Sequence, residues 1–153
     1  MKFNYELFAD YFQFYLRDES VPGDLSGSWT PEAIEHLLAI ADGTIGVGTV
    51  RNMTVPVTVE ILNGPPPDDW TEWDQVNQCS IRVPSGRIAV AGCTDYFPSA
   101  ARIEVPPGWY SARIHYNGLN TLSPDGLDGK DYYAIALWPG EEAEFRVLKQ
   151  RQA

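Results

Sequence analysis

The sequence predicts an all-β protein, an antiparallel β-sandwich of about eight to ten strands with one short α-helix over residues about 30–42. Short runs of alternating apolar and polar residues recur along the chain, as in Val55, Val57, Val59 and Ile61, and a period of two places one face of each strand on a core. Turn-forming clusters separate these runs at hairpin spacing, among them Pro84-Ser85-Gly86 and Pro106-Pro107-Gly108. Only Trp29 to Gly43 has a helical period. A closed barrel is the alternative, because alternation along a strand does not distinguish one curled sheet from two packed ones.

Taken in order, Asn4 to Asp18 is rich in aromatics, which favour strands, and Ala9-Asp10 bends the run into two short ones. Pro22, Gly23 and Gly27 mark a loop leading to the helix. Thr30 suits the N-cap and Pro31 the first helical position, Trp29 can staple onto Ile34, and Gly43 can end the helix in a left-handed conformation. Ile34, Leu37, Leu38 and Ala41 form one apolar stripe, expected to be buried.

Thr44 to Val50 reads as a strand whose glycine face lets another backbone approach, and Arg51-Asn52 as a turn into Thr54 to Leu62, the two strands pairing as a hairpin. Pro56 lacks an N–H, so that strand is an edge there, or the proline amide position faces away from its partner. Gln78 to Val83 with Arg87 to Ala91 gives a second expected hairpin, and Ala100 to Val105 with Trp109 to Tyr116 a third. A loop over residues 117–131 precedes the strands Tyr132 to Trp138 and Glu144 to Leu148.

A length of 153 residues suits a single domain, residues 1–153, with a sizeable core. Asp and Glu total 21 against 11 Lys and Arg, and the net charge of -10 repels phosphate backbones and anionic lipid surfaces. Direct nucleic-acid binding is therefore disfavoured. Met1 to Phe12 does not read as a secretory signal and no apolar run reaches membrane-spanning length, so a cytoplasmic location is expected. Cys79 and Cys93 read as buried thiols, able to pair only if their strands are neighbours.

No catalytic, cofactor-binding or metal-binding residue emerges. His36 falls on the polar side of the helix, and strand alternation turns His115 away from Ile114 and Tyr116, toward the outer surface. The histidines and cysteines lack zinc-ligand spacing; Asp125, Asp128 and Asp131 lack the calcium-loop register. The glycines from Gly43 to Gly48 lack the lysine and following helix of a phosphate loop.

The best partner-binding candidate is the loop from Asn63 to Gln75, through Asp68, Asp69, Trp70, Glu72, Trp73 and Asp74. Tryptophan anchors interfaces, and the four carboxylates suit a basic groove. The same residues also suit a solvated loop whose tryptophans fold back over the sandwich. An alternative function is carbohydrate binding, with Trp70, Trp73 or Trp109 as stacking platforms.

Trp29-Thr30, Glu32-Ala33-Ile34-Glu35, Ala39, Ala41-Asp42-Gly43, Ile45 and Arg51-Asn52 together resemble the corresponding run of the competence protein J family, small bacterial proteins named for an inhibitor of a DNA-entry nuclease. Tyr11-x-Gln13-Phe14 with Asp18, and Pro107-Gly108-x-Tyr110, extend the resemblance over most of the chain. It implies a non-enzymatic, stoichiometric inhibitor that binds a metal-dependent nuclease and blocks its action on DNA. The acidic charge agrees, since such an enzyme presents a basic groove to phosphates. Most of the matching residues read as helix caps, turn formers and core.

Overall fold

The computed structural model describes residues 1–152. Its strands are β1 (Lys2–Phe8), β2 (Gln13–Asp18), β3 (Leu38–Ala41), β4 (Thr44–Gly48), β5 (Thr54–Ile61), β6 (Gln75–Val83), β7 (Arg87–Gly92), β8 (Ala101–Glu104), β9 (Gly108–Asn117), β10 (Tyr132–Pro139) and β11 (Arg146–Lys149), with one α-helix, α1 (Pro31–His36). Two sheets face each other, a six-stranded one in the order β1-β5-β10-β9-β6-β11 and a five-stranded one in the order β3-β4-β2-β7-β8. The fold is an all-β sandwich.

Alternation places the core as expected. Phe14 and Leu16 of β2, Ile45 and Val47 of β4, and Ile88 and Val90 of β7 meet Val57 and Val59 of β5, Ile114 of β9 and Ile135 of β10. The Tyr133 ring packs edge-on against Phe14 at 5.9 Å and Tyr116 at 5.8 Å. Its hydroxyl accepts from Val50 N–H and donates to buried Asp131, which forms an ion pair with Arg51 at 2.9 Å. Cys79 and Cys93 are both free, the first buried with its thiol pushed up to about 12 by desolvation, the second exposed.

The three expected hairpins do not form. In each, the turn carries the chain from one sheet to the other: β4 and β5, β6 and β7, and β8 and β9 lie in opposite sheets. β5 pairs instead with β1 antiparallel and with β10 parallel. Alternation reports which face is buried and is silent on which strand is the neighbour. At Pro84-Ser85-Gly86 the deciding contacts come from outside the turn. Ser85 donates from its N–H and hydroxyl to Asp18 at the end of β2, and Gly86, at φ +74°, accepts from Val105 N–H. β5 is interior, yet its register with β10 begins at Val57, so Pro56 has a partner only on the β1 side.

The helix is shorter than the sequence pattern implies. Thr30 caps it through Ala33 N–H, with Pro31 at its start, but it ends at Leu37, at φ 61° and ψ 36°. Leu38 to Ala41 is strand, Ile34 is 58% exposed, and no residue of α1 is buried. The glycine face of β4 does admit a backbone, since a Cβ on Gly48 would stand 3.0 Å from the Leu37 Cα. The break between β1 and β2 falls where expected, at a tight turn over Asp10–Phe12.

Asp18 is fully buried and accepts from the backbone and hydroxyl of both Ser20 and Ser85. Burial alone would raise its pKa, but these hydrogen bonds outweigh it and hold the carboxyl below its ordinary 3.8. A depressed folded pKa means that the unfolded chain binds more protons in acid, so this stabilisation is present above about pH 4 and is lost as pH falls through the folded value. Asp18→Ala should cost about 2–4 kcal/mol in urea unfolding at pH 7 and flatten the acid limb of the stability profile.

Candidate functional site

The loop over residues 62–74 runs from β5 to β6 across the outer face of the six-stranded sheet. Its anchor is Arg113, which the pleat of β9 turns away from the core while leaving it only 5% exposed. The guanidinium donates to Gln78 Oε1 at 2.9 Å, to Asp68 Oδ1 at 3.0 Å and to the Pro66 carbonyl at 3.3 Å. It also sits 5.9 Å from the Trp70 ring and 5.5 Å from that of Trp138. A planar, always-charged group can satisfy several acceptors and lie beside aromatic rings at once, which a lysine could not do.

The structure places the candidate residues unevenly. Trp70, Trp73 and Asp74 are half-buried, while Asp68, Asp69 and Glu72 are exposed. Asp69 accepts from the Thr71 N–H and hydroxyl, Asp74 accepts from Leu119 N–H, and Lys149 donates to the Trp70 carbonyl. Three of the four carboxylates thus have partners within the chain. The tryptophans do fold back: Trp73 packs on His115 at 4.9 Å and on Tyr132 at 5.4 Å.

His115 faces outward, as alternation requires, but the loop covers it, so it is not a surface residue and is 9% exposed. Its Nδ1 lies 3.3 Å from the Ala134 carbonyl, which can only accept, so the neutral ring carries its proton there. Burial, with a smaller contribution from nearby Arg113, lowers its pKa to about 4 despite the Ala134 hydrogen bond, and the ring is neutral at pH 7. Beside it a cleft of about 560 Å³ is floored by Ala134 and Ala136, walled by Pro67, Asp69 and Trp73, and bordered by Glu60. His36 is half-buried, with Nδ1 3.0 Å from Gln150 Oε1 and its ring against Phe145.

A second concavity, about 530 Å³, opens beside α1, lined by Tyr11, Phe12, Trp29, Ile34, Leu37 and Arg151. Tyr11 is 70% exposed and Phe12 52%. The sequence pattern gives no sign of this groove, because it places Ile34 and Leu37 together on a buried stripe, and of the two only Leu37 is buried. Among the described residues, no group of three or more His, Cys, Asp or Glu is placed to hold a metal, and no helix is long and apolar enough to cross a membrane.

No protein-family model and no curated protein matches the chain. Among solved structures, the crystal structure of ComJ, inhibitor of the DNA degrading activity of NucA, from Bacillus subtilis, superposes with a TM-score of 0.67 at 21% identity, covering 89% of this chain and 94% of that one. The fold is ComJ-like. A protein described as Crocagin biosynthetic gene J shares the same architecture, with a TM-score of 0.58 at 16% identity over 92% of this chain and 96% of that one. On the ComJ-like frame, the loop over residues 62–74 is tied to the sheet through Arg113.

Two outcomes follow from the burial of His115. Because its folded pKa lies below the unfolded value of 6.5, its contribution to stability is present above pH 6.5 and declines as pH falls toward 4. Trp73→Ala should uncover the ring and move its pKa from about 4 back toward 6.5, read from the imidazole resonances in an NMR titration.

Proposed function

We propose that the protein is a non-enzymatic inhibitor that binds a metal-dependent DNA nuclease and blocks its access to DNA. The observation that carries this reading is the ComJ-like fold spanning nearly the whole of both chains. The net charge of -10 supports it, since a protein of that sign is drawn to the basic groove that a nuclease offers to phosphates. The loop residues Asp68, Asp69, Trp70, Glu72, Trp73 and Asp74 are the acidic and aromatic part of the proposed contact. Arg113 holds the loop in place before any partner arrives, which lowers the ordering cost of association.

Purified protein should protect DNA from a nuclease of the NucA kind at a molar ratio near one to one, with association slowing as salt rises. Combined Asp69→Asn and Glu72→Gln, at exposed positions, should slow association by about threefold to tenfold and leave the melting temperature unchanged. Undiminished DNA degradation at saturating protein would overturn the proposal.

A further inference from the structure

Three apolar residues beside α1, Tyr11, Phe12 and Ile34, are not used by the core. Ile34 stands 58% exposed on a helix that buries nothing. Tyr11 and Phe12 take φ of 57° and 60°, consecutive left-handed conformations that residues with a Cβ resist. The turn is nevertheless held: Phe12 N–H donates to the Ala9 carbonyl at 3.0 Å, Thr49 N–H to the Phe12 carbonyl at 2.9 Å, and Tyr11 N–H to Asp10 Oδ1 at 3.1 Å. The result is two aromatic side chains set beside an apolar groove, both more than half exposed. Strain kept by surrounding hydrogen bonds, at a place where burial is not served, is a mark of a working surface.

Charge selects the occupant. Asp10 adjoins Tyr11, and exposed Glu32 and Glu35 stand on the same helix as Ile34, three carboxylates around a groove whose one charged lining residue among those described is Arg151. A second copy of this chain would bring another -10. A basic partner would not. We propose that the groove between Tyr11, Phe12 and Ile34 is the docking site for an apolar side chain of a basic partner protein, flanked there by lysine or arginine. The identity of that partner as a nuclease rests on the function proposed above; the groove's preference for basic, apolar chemistry does not.

The test has two arms. In the first, the full chain is titrated with the peptide acetyl-Lys-Leu-Phe-Lys-amide and with its acidic counterpart acetyl-Glu-Leu-Phe-Glu-amide, followed by backbone amide shifts. The basic peptide should move Tyr11, Phe12, Ile34 and Leu37, and the acidic one should not. Tyr11→Gly relieves the left-handed strain, so its melting temperature should hold or rise while peptide affinity drops about fivefold or more. No shifts, shifts centred on another face, or unchanged affinity in Tyr11→Gly would overturn the inference.

In the second arm, Tyr11→Gly and Ile34→Ser are compared with wild type as inhibitors of the nuclease, with a loss of about tenfold or more expected. If wild type inhibits and both variants match it, the groove assignment falls and the inhibitor reading stands. If the basic peptide maps to the groove while no nuclease is inhibited, the groove stands and the inhibitor reading falls.

Discussion

The Tyr116 hydroxyl donates to the Leu37 carbonyl at 2.6 Å, and the shape of one end of the sandwich depends on that bond. A helix leaves its last carbonyls without partners, and here those groups lie against the interior, where an unpaired carbonyl is costly. Leu37 also accepts from Gly48 N–H at 2.9 Å, and the preceding His36 carbonyl accepts from Asn77 Nδ2 at 2.7 Å. Asn77 accepts in turn from Gln75 Nε2, and Gln75 Oε1 accepts from Arg151 N–H at 2.7 Å. A polar chain thus ties β6, β9, β4, α1 and the C-terminal segment together, each donor matched to an acceptor.

That knot explains why the helix stops and what its arrest exposes. With Leu37 left-handed, the next residues join β4 as strand β3, and α1 remains as a short, unburied piece on the rim of the sheet. Ile34 consequently points into the groove instead of the core. Gly48 permits the arrangement, because a side chain there would strike the Leu37 backbone.

Much of this was legible in the sequence because it is local. The Thr30 cap, the Pro31 start, the bend after Phe8, the glycine face of β4 and the alternating Val55 to Ile61 each follow from neighbouring residues. The strand pairings were not, because the contacts that direct the turn at Ser85 come from Asp18, distant in sequence. Ile34, Leu37, Leu38 and Ala41 satisfy a helical period, while Leu38 to Ala41 is also short enough to be a strand, and the bonds that favour the strand come from Gly48, Asn77 and Tyr116, outside the stretch. Arg113 gave no signal at all. An arginine at an outward strand position reads as solvated until a loop is known to cross it, and the same loop turns His115 from a surface residue into a covered one.

The division of charge and apolar surface bears on how such a protein could bind. Asp68, Asp69 and Asp74 each have a partner within the chain, so their remaining influence is mainly the long-range field, which speeds encounter more than it lengthens residence. Residence depends on desolvated contact, and the groove beside α1 supplies exposed aromatic and aliphatic area. Arg151 lines that groove and also the hollow beside Trp73 and Asp74, so the two surfaces meet at the C-terminal segment. A partner seated across this end of the sandwich could therefore be drawn in by the acidic loop and held by Tyr11, Phe12 and Ile34. The polar knot beside the groove ends α1 and holds Arg151, while bonds to Ala9 and Thr49 hold the turn that carries Tyr11 and Phe12.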